Sequence, residues 1–350
     1  MIQMSKEEEK DKFSLEKIGV LEGHGGAVTS LVCGEDENGA PLLLSGSRDR
    51  SIIRWKLTLD NPKEITTKLP EEEVEEGQSN EIKKYLVGQP LKSLHGHNHF
   101  VSSLALNSDS TKLVSASWDK TIRLWDIPTS KSELIFKGHT KDVLCIAFSH
   151  DERLIFSGGM DNTLKYWNTK GELRFDNNQF RGWVSCILNI SKGKTNYIAV
   201  GSWDGSVKIL NSEYNIQKEI PGGEYAVTSM STDDDGDFLF VAYKNGTIKV
   251  LNIEEKEGES EKDSDVKQVI ETGIDINAIL FETKFFQIYA LGTSKGLQIR
   301  RIKGAKKPDF EDNENGACLS LTYDKSKEYL FAGFADGTIK VYKTKNEGEN

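Results

Sequence analysis

Cysteine is scarce in this chain: four in 350 residues, Cys33, Cys145, Cys186 and Cys318, standing far apart with no paired metal-ligand spacing. That excludes the disulfide framework on which small secreted domains depend. Cys145 and Cys186 fall inside apolar alternation, so buried free thiols and a reducing, cytoplasmic compartment are expected. Long apolar runs are missing too, with nothing near the ~18 residues of a membrane helix. The first ten residues, Met1-Ile-Gln-Met-Ser-Lys-Glu-Glu-Glu-Lys, lack a signal peptide's apolar segment, so no membrane partner is expected. No Gly-rich loop carries the lysine that cradles a nucleotide phosphate, and neither a cofactor nor a small-molecule substrate is expected. Positive charge is in deficit, with 45 Lys and Arg against 55 Asp and Glu and a net charge of −10. The deficit is local: residues 60–90 hold eight acidic and four basic residues, and 254–267 hold seven and three. The remainder is near neutral and has room for a basic face.

What is present is glycine, 31 residues of it, and a cassette of small residues, an acidic turn and an alternating strand that recurs seven times. The clearest copies are Ser45-Gly-Ser-Arg-Asp49-Arg-Ser-Ile-Ile-Arg-Trp55, Ser115-Ala-Ser-Trp-Asp119-Lys-Thr-Ile-Arg-Leu-Trp125 and Ser157-Gly-Gly-Met-Asp161-Asn-Thr-Leu-Lys-Tyr-Trp167. Gly201-Ser-Trp-Asp204 follows, and looser copies centre on Asn245, Lys295 and Asp336. From Asp119 the acidic positions step by 42 and 43 residues, close to the ~40–45 of a WD40 blade. One blade cannot bury its own faces, so a closed ring is required. The fold class is therefore all-β, a seven-bladed WD40 β-propeller.

Each cassette predicts strands a, b and c, with a tight b–c turn at the Asp and strand d before the next loop. Gly23-His24, Gly96-His97 and Gly138-His139 precede Asp49, Asp119 and Asp161 by 25, 22 and 22 residues, placing one Gly-His pair in each of the first three blades. The last cassette leaves too little chain for a strand d, while Phe13–Leu21 reads as a strand with no blade of its own. It is expected to become the outer strand of blade 7 and close the ring. The division that follows is a charged tail over 1–12, a propeller over 13–343 with flexible acidic c–d insertions at 60–90 and 254–267, and a tail over 344–350. The c–d loops emerge opposite the b–c turns, so the acid is expected on one face only.

Ser, His and Asp recur together, as in a hydrolase, but the same set appears in three successive blades. A triad needs one exposed nucleophile beside an oxyanion hole. The expected role of His24, Asp49 and Trp55, of His97, Ser115, Asp119 and Trp125, and of His139, Asp161 and Trp167 is a buried network tying the Gly-His loop to the b–c turn. His95 and His99 alternate with His97 without a Cys or acidic partner, and Asp233-Asp-Asp-Gly-Asp237 lacks the closing Glu of a calcium loop, so no metal site is expected. The basic residues carry more information. Arg48 and Arg50 flank Asp49, Arg54 follows on strand c, Lys120 occupies the turn of blade 2, and Lys141 follows the Gly-His of blade 3. Turn and loop residues of this set share one face across adjacent blades, as a phosphate backbone requires.

The chain resembles the receptor for activated C kinase family, the G-protein-β-like scaffolds of the eukaryotic small ribosomal subunit. The resemblance is carried by Ser45–Leu57, by Gly96-His-Asn-His-Phe-Val-Ser102, by Gly138-His-Thr-Lys-Asp-Val-Leu-Cys-Ile-Ala-Phe-Ser149, and by Trp183-Val-Ser-Cys186 and Asp275–Phe281. It implies a non-enzymatic scaffold on the head of the small subunit, in contact with 18S-type ribosomal RNA and neighbouring subunit proteins, with Arg48 and Arg50 as anchors. It also implies recruitment of protein kinase C-like kinases through segments beginning at Asp142 and Asp275, although both read mainly as core strand. The competing expectations are a free cytosolic adaptor and a G-protein β-like signalling subunit. The latter needs an N-terminal coiled-coil helix, and no heptads precede Phe13.

Overall fold

The computed structural model describes residues 13–60, 62–68, 81–253, 266–282, 288–302 and 307–346. These form seven sheets, each built on four antiparallel strands in the order a-b-c-d. Blade 1 comprises β2 (Val28–Glu35), β3 (Pro41–Ser47), β4 (Ile52–Leu57) and β7 (Gly88–Leu94). Blade 2 runs from β8 (Val101–Leu106) to β11 (Lys131–Lys137), blade 3 from β12 (Val143–Phe148) to β15 (Leu173–Asn177), and blade 4 from β16 (Val184–Lys192) to β19 (Ile216–Ile220). Blade 5 spans β20 (Val227–Thr232) to β23 (Val266–Glu271), and blade 6 β24 (Ile276–Glu282) to β27 (Phe310–Asp312). Blade 7 takes β28 (Cys318–Tyr323), β29 (Tyr329–Phe334) and β30 (Ile339–Asn346) from the C-terminal end and β1 (Phe13–Leu21) from the N-terminal end. The closing strand is thus the one expected from the sequence.

Seven apolar clusters hold the ring, one between each pair of adjacent blades. Between blades 7 and 1, for example, Leu21, Val28, Leu43, Phe331 and Val341 meet at 0% exposure. No blade is a core by itself, which is why the ring must close. Strand a of every blade packs on strand a of the next, and β28 on β2 completes the circle. Each strand a also carries a register shift after its first residue. The bulge turns one side chain into the central channel. In blades 1, 2, 4 and 6 that side chain is Thr29, Ser102, Ser185 or Asn277, and each donates to a main-chain carbonyl of the next blade.

The segment 60–90 differs from the flexible insertion expected of it. Its last residues belong to β7, and two further strands, β5 (Lys63–Lys68) and β6 (Glu81–Leu86), pair as a hairpin. β6 meets the closing strand in parallel at Val20 and Leu86, so the blade 7 sheet has six strands, in the order β28-β29-β30-β1-β6-β5. The hairpin covers the outer edge left by the closing strand. The tract Glu71–Glu76 lies outside the described residues, as does most of 254–267. Strand β30 runs three residues beyond the expected boundary at 343.

Candidate nucleic-acid interface

In blades 1 to 3 one hydrogen-bond chain is built three times. In blade 2 the indole Nε1–H of Trp125 donates to Ser115 Oγ at 2.8 Å, Ser115 Oγ lies 2.7 Å from His97 Nε2, and His97 Nδ1 lies 2.9 Å from Asp119 Oδ2. The Ser oxygen accepts from the indole, so its own proton goes to Nε2 and the imidazole donates from Nδ1. Asp119 also accepts from the backbone of Asn98 at 2.9 Å and caps Thr121. Blade 1 repeats the set with Trp55, Ser45, His24 and Asp49, and blade 3 with Trp167, Ser157, His139 and Asp161. The Ser hydroxyls are fully buried under the indoles, unlike a nucleophile open to substrate. Burial acts to raise all three carboxyls, but hydrogen bonds from the imidazole and from Ser51, Thr121 or Thr163 outweigh it and hold them well below the usual carboxylate range. The chain ties the loop entering each blade to its b–c turn.

Each b–c turn displays three positions with distinct environments. The first donates its backbone N–H to the carbonyl just before strand a of the same blade, in all seven blades. Its occupants, in order, are Arg48, Trp118, Met160, Trp203, Lys244, Ser294 and Ala335, a ring around the channel mouth. The second is the Asp of the network or its substitute. The third adopts a left-handed backbone, with φ of 73° at Arg50, 68° at Lys120 and 62° at Asn162, whereas blades 4, 5 and 7 have Gly205, Gly246 and Gly337 there. At those three glycines a Cβ would strike the backbone of the loop leaving the same blade. The first three blades leave room for a side chain, and two of them hold a cation.

Arg48, Arg50, Lys120 and Lys141 are all exposed on the end of the propeller where the d–a loops and b–c turns meet. The structure brings these four together on one face and separates the two arginines of blade 1. Arg48 lines the mouth with its guanidinium 5.7 Å from the Phe100 ring, while Arg50 sits at the outer, left-handed position. Arg54 does not belong with them. Half-buried on strand c, it donates from Nη1 to the Ile127 carbonyl at 3.2 Å, bridging to the opposite end of blade 2. Arg54 lies along strand c beyond the turn, and its side chain stands on the face of the blade that packs against blade 2.

Asp142 is half-buried, and its carbonyl accepts from Met160 at 2.8 Å. The following strand β12 is almost wholly buried. Asp275 is exposed and pairs with Lys244 at 3.5 Å ahead of the largely buried β24. His99 stacks on Trp118 with ring centroids 5.8 Å apart, and His95 is exposed. Asp233 caps its own a–b turn by accepting from Phe238 N at 2.8 Å. Among the described residues no cluster of three or more His, Cys, Asp and Glu is arranged to hold a metal. All four cysteines are free, and burial pushes Cys33, Cys186 and Cys318 up to about 12. The same face has an aromatic side, Phe100, Trp118, Trp183 and Trp203, that was not expected from the sequence. Its signal was present in Trp118 and Trp203, each directly before a turn Asp.

The family described as WD domain, G-beta repeat matches residues 15–56, 88–126, 130–168, 175–211, 215–252 and 307–343. The sixth blade has no match of its own although it folds with four strands. Relatives match over almost the whole chain. The small ribosomal subunit protein RACK1 of Neurospora crassa is 33% identical over 93% of this chain and 96% of its own length. That of Drosophila melanogaster is 32% identical over 94% and 97%. RACK1y of Oryza sativa subsp. japonica is 31% identical over 96% and 97%.

Proposed function

The chain belongs to the RACK1 family of WD-repeat propellers, and from that premise we propose that it is a cytoplasmic scaffold held on the small ribosomal subunit. Docking uses the basic end of blades 1 to 3, through phosphates of 18S-type ribosomal RNA and adjoining subunit proteins. Arg50 carries the reading. It is an exposed cation in a left-handed conformation that costs an Arg about 1 kcal/mol, fixed beside an Asp whose network leaves the turn little freedom. Lys120 repeats that arrangement one blade on, and Lys141 and Arg48 extend the positive surface. Such contacts position a protein on RNA without reading its bases. The chemistry is that of a scaffold rather than an enzyme, with the remaining surface free for signalling and translation factors. Kinases of the protein kinase C type would meet only the ends of the segments at Asp142 and Asp275, because the strands behind them are core.

Co-sedimentation with purified small ribosomal subunits tests the reading. Wild type is expected to pellet and folded Arg48→Asp/Arg50→Glu to stay in the supernatant. A wild type that does not pellet leaves a free adaptor, and equal pelleting of both moves the anchor elsewhere.

A further inference from the structure

In blades 1 to 3 the hydroxyls of the b–c turns are committed to the fold. Ser47 donates to the Gly26 carbonyl at 2.8 Å, and Ser51, Thr121 and Thr163 donate to the turn aspartates of their own blades at 2.7, 2.6 and 2.8 Å. Thr140, in the loop entering blade 3, is different. It directly follows His139, and its backbone N–H donates to Asp161 Oδ2 at 2.9 Å, which fixes the main chain beneath it. The residue itself is exposed, and among the described residues its hydroxyl takes no hydrogen-bond partner. Blades 1 and 2 make the same backbone bond with Gly25 and Asn98, so the network needs no hydroxyl at this position. Lys137 stands three residues before Thr140 and Lys141 one after. Both are exposed and, among the described residues, unpaired.

We propose that Thr140 is a phosphorylation site for a protein kinase that selects basic substrates, and that the phosphate cancels the positive surface of this end and so releases the propeller from ribosomal RNA. In the transfer Thr140 Oγ1 attacks the terminal phosphorus of ATP, the bond to the ADP oxygen breaks, and the hydroxyl proton passes to a base on the kinase. Cations on both sides of the hydroxyl are the charge pattern that an acidic kinase groove selects. The product carries about 1.5 to 2 negative charges at pH 7, set within the surface that Arg50, Lys120 and Lys141 make positive. It draws Lys137 and Lys141 to itself, away from RNA, and repels RNA phosphates directly. Asp161 gives the new charge no relief, because its carboxylate already faces the Thr140 main chain. The release rests on the docking reading above; the modification of Thr140 does not.

The test incubates the full chain with ATP, magnesium and the catalytic domains of two kinases that select basic substrates, cyclic-AMP-dependent protein kinase and protein kinase C. The acid-directed casein kinase 2 is the control. Mass spectrometry is expected to place phosphate on Thr140 with at least one of the first two and not with the control, and Lys137→Ala should slow incorporation several-fold. Untreated chain and kinase-treated Thr140→Val should then pellet alike with small ribosomal subunits, and the Thr140 phosphoprotein should bind about tenfold more weakly. Heparin, a polyanion without ribosomal structure, should release the phosphoprotein at lower salt than the untreated chain. No phosphate on Thr140, or a phosphoprotein that pellets like the untreated chain, overturns the proposal. Untreated chain that does not pellet at all refutes the docking reading instead. Heparin then decides: earlier elution of the phosphoprotein upholds a switch of this face, and unchanged elution overturns it.

Discussion

Blades 1 to 3 lock their b–c turns with a histidine, an aspartate, a serine and a tryptophan, whereas blades 4 to 7 manage without the histidine. Blade 4 keeps Asp204, which accepts from Arg181 N at 3.2 Å, and puts fully buried Leu210 where the tryptophan stood. Blade 5 substitutes Thr272, whose hydroxyl donates to the Gly246 carbonyl at 2.7 Å. In blade 7 Asn315 donates to Asp336, and the tryptophan position is taken by Tyr342, whose hydroxyl donates to Asp312 Oδ2 at 2.7 Å. Asp312 also holds the fully buried Lys340 at 2.5 Å. Apolar packing between blades is alike all round the ring, so the fold tolerates any of these devices. What differs is the turn they support. Where the histidine is present, the left-handed position is open and carries Arg, Lys or Asn; in blades 4, 5 and 7 the neighbouring loop closes over a glycine. Rigid turns with cations set against conformational preference are therefore confined to one side of the ring.

The largest effect in this comparison belongs to blade 7. Lys340→Met leaves Asp312 buried without its principal partner and is expected to cost about 3–5 kcal/mol, read in urea unfolding, because an uncompensated buried charge is left behind. A loss under about 1 kcal/mol would show that Lys17, 4.0 Å from Asp312, substitutes for it.

A middle-sized effect separates the two halves. His97→Ala strands Ser115 and Asp119 and should cost about 1–3 kcal/mol, against about 0.5–1.5 for Asp204→Asn, which loses capping bonds alone. The acid limb sharpens this difference. Folded-state values of Asp49, Asp119 and Asp161 lie below the unfolded value of about 4, so their stabilisation is complete above that pH and disappears as pH falls toward the folded values. The His97→Ala stability curve should accordingly be flatter than wild type below about pH 4. Parallel curves would mean that His97 does not hold Asp119 ionised.

Much of this architecture was legible in the sequence because its signals are local. Asp119, Asp161 and Asp204 recur at blade spacing, Gly-His stands 22 to 25 residues before the Asp, and Phe13–Leu21 alternates with no blade to join. The hairpin of β5 and β6 escaped notice because two six-residue strands flank a glutamate-rich tract whose composition dominates the window. The Lys340–Asp312–Tyr342 cluster could not be read because its partners are 28 and 30 residues apart and belong to different blades. On the candidate face, the cations of the turns were found by position, but Arg54, placed on strand c and grouped with them, instead reaches across to the Ile127 carbonyl of blade 2. The difference between Arg48 and Arg50 depends on backbone conformation, and the sequence Arg-Asp-Arg looks symmetrical about Asp49.

The smallest effect on stability falls at Arg50, and it gives the most direct test of the central claim that this cation is kept for binding. Arg50→Gly removes the charge and relieves the left-handed strain together, so the variant should unfold at equal or higher urea, by up to about 1 kcal/mol. The measurement is the affinity of wild type and Arg50→Gly for purified small ribosomal subunits across a salt series. The account predicts weaker binding by the variant and a salt dependence shallower by about one released counterion. An Arg50→Gly protein that binds with wild-type affinity and an unchanged salt slope would contradict it.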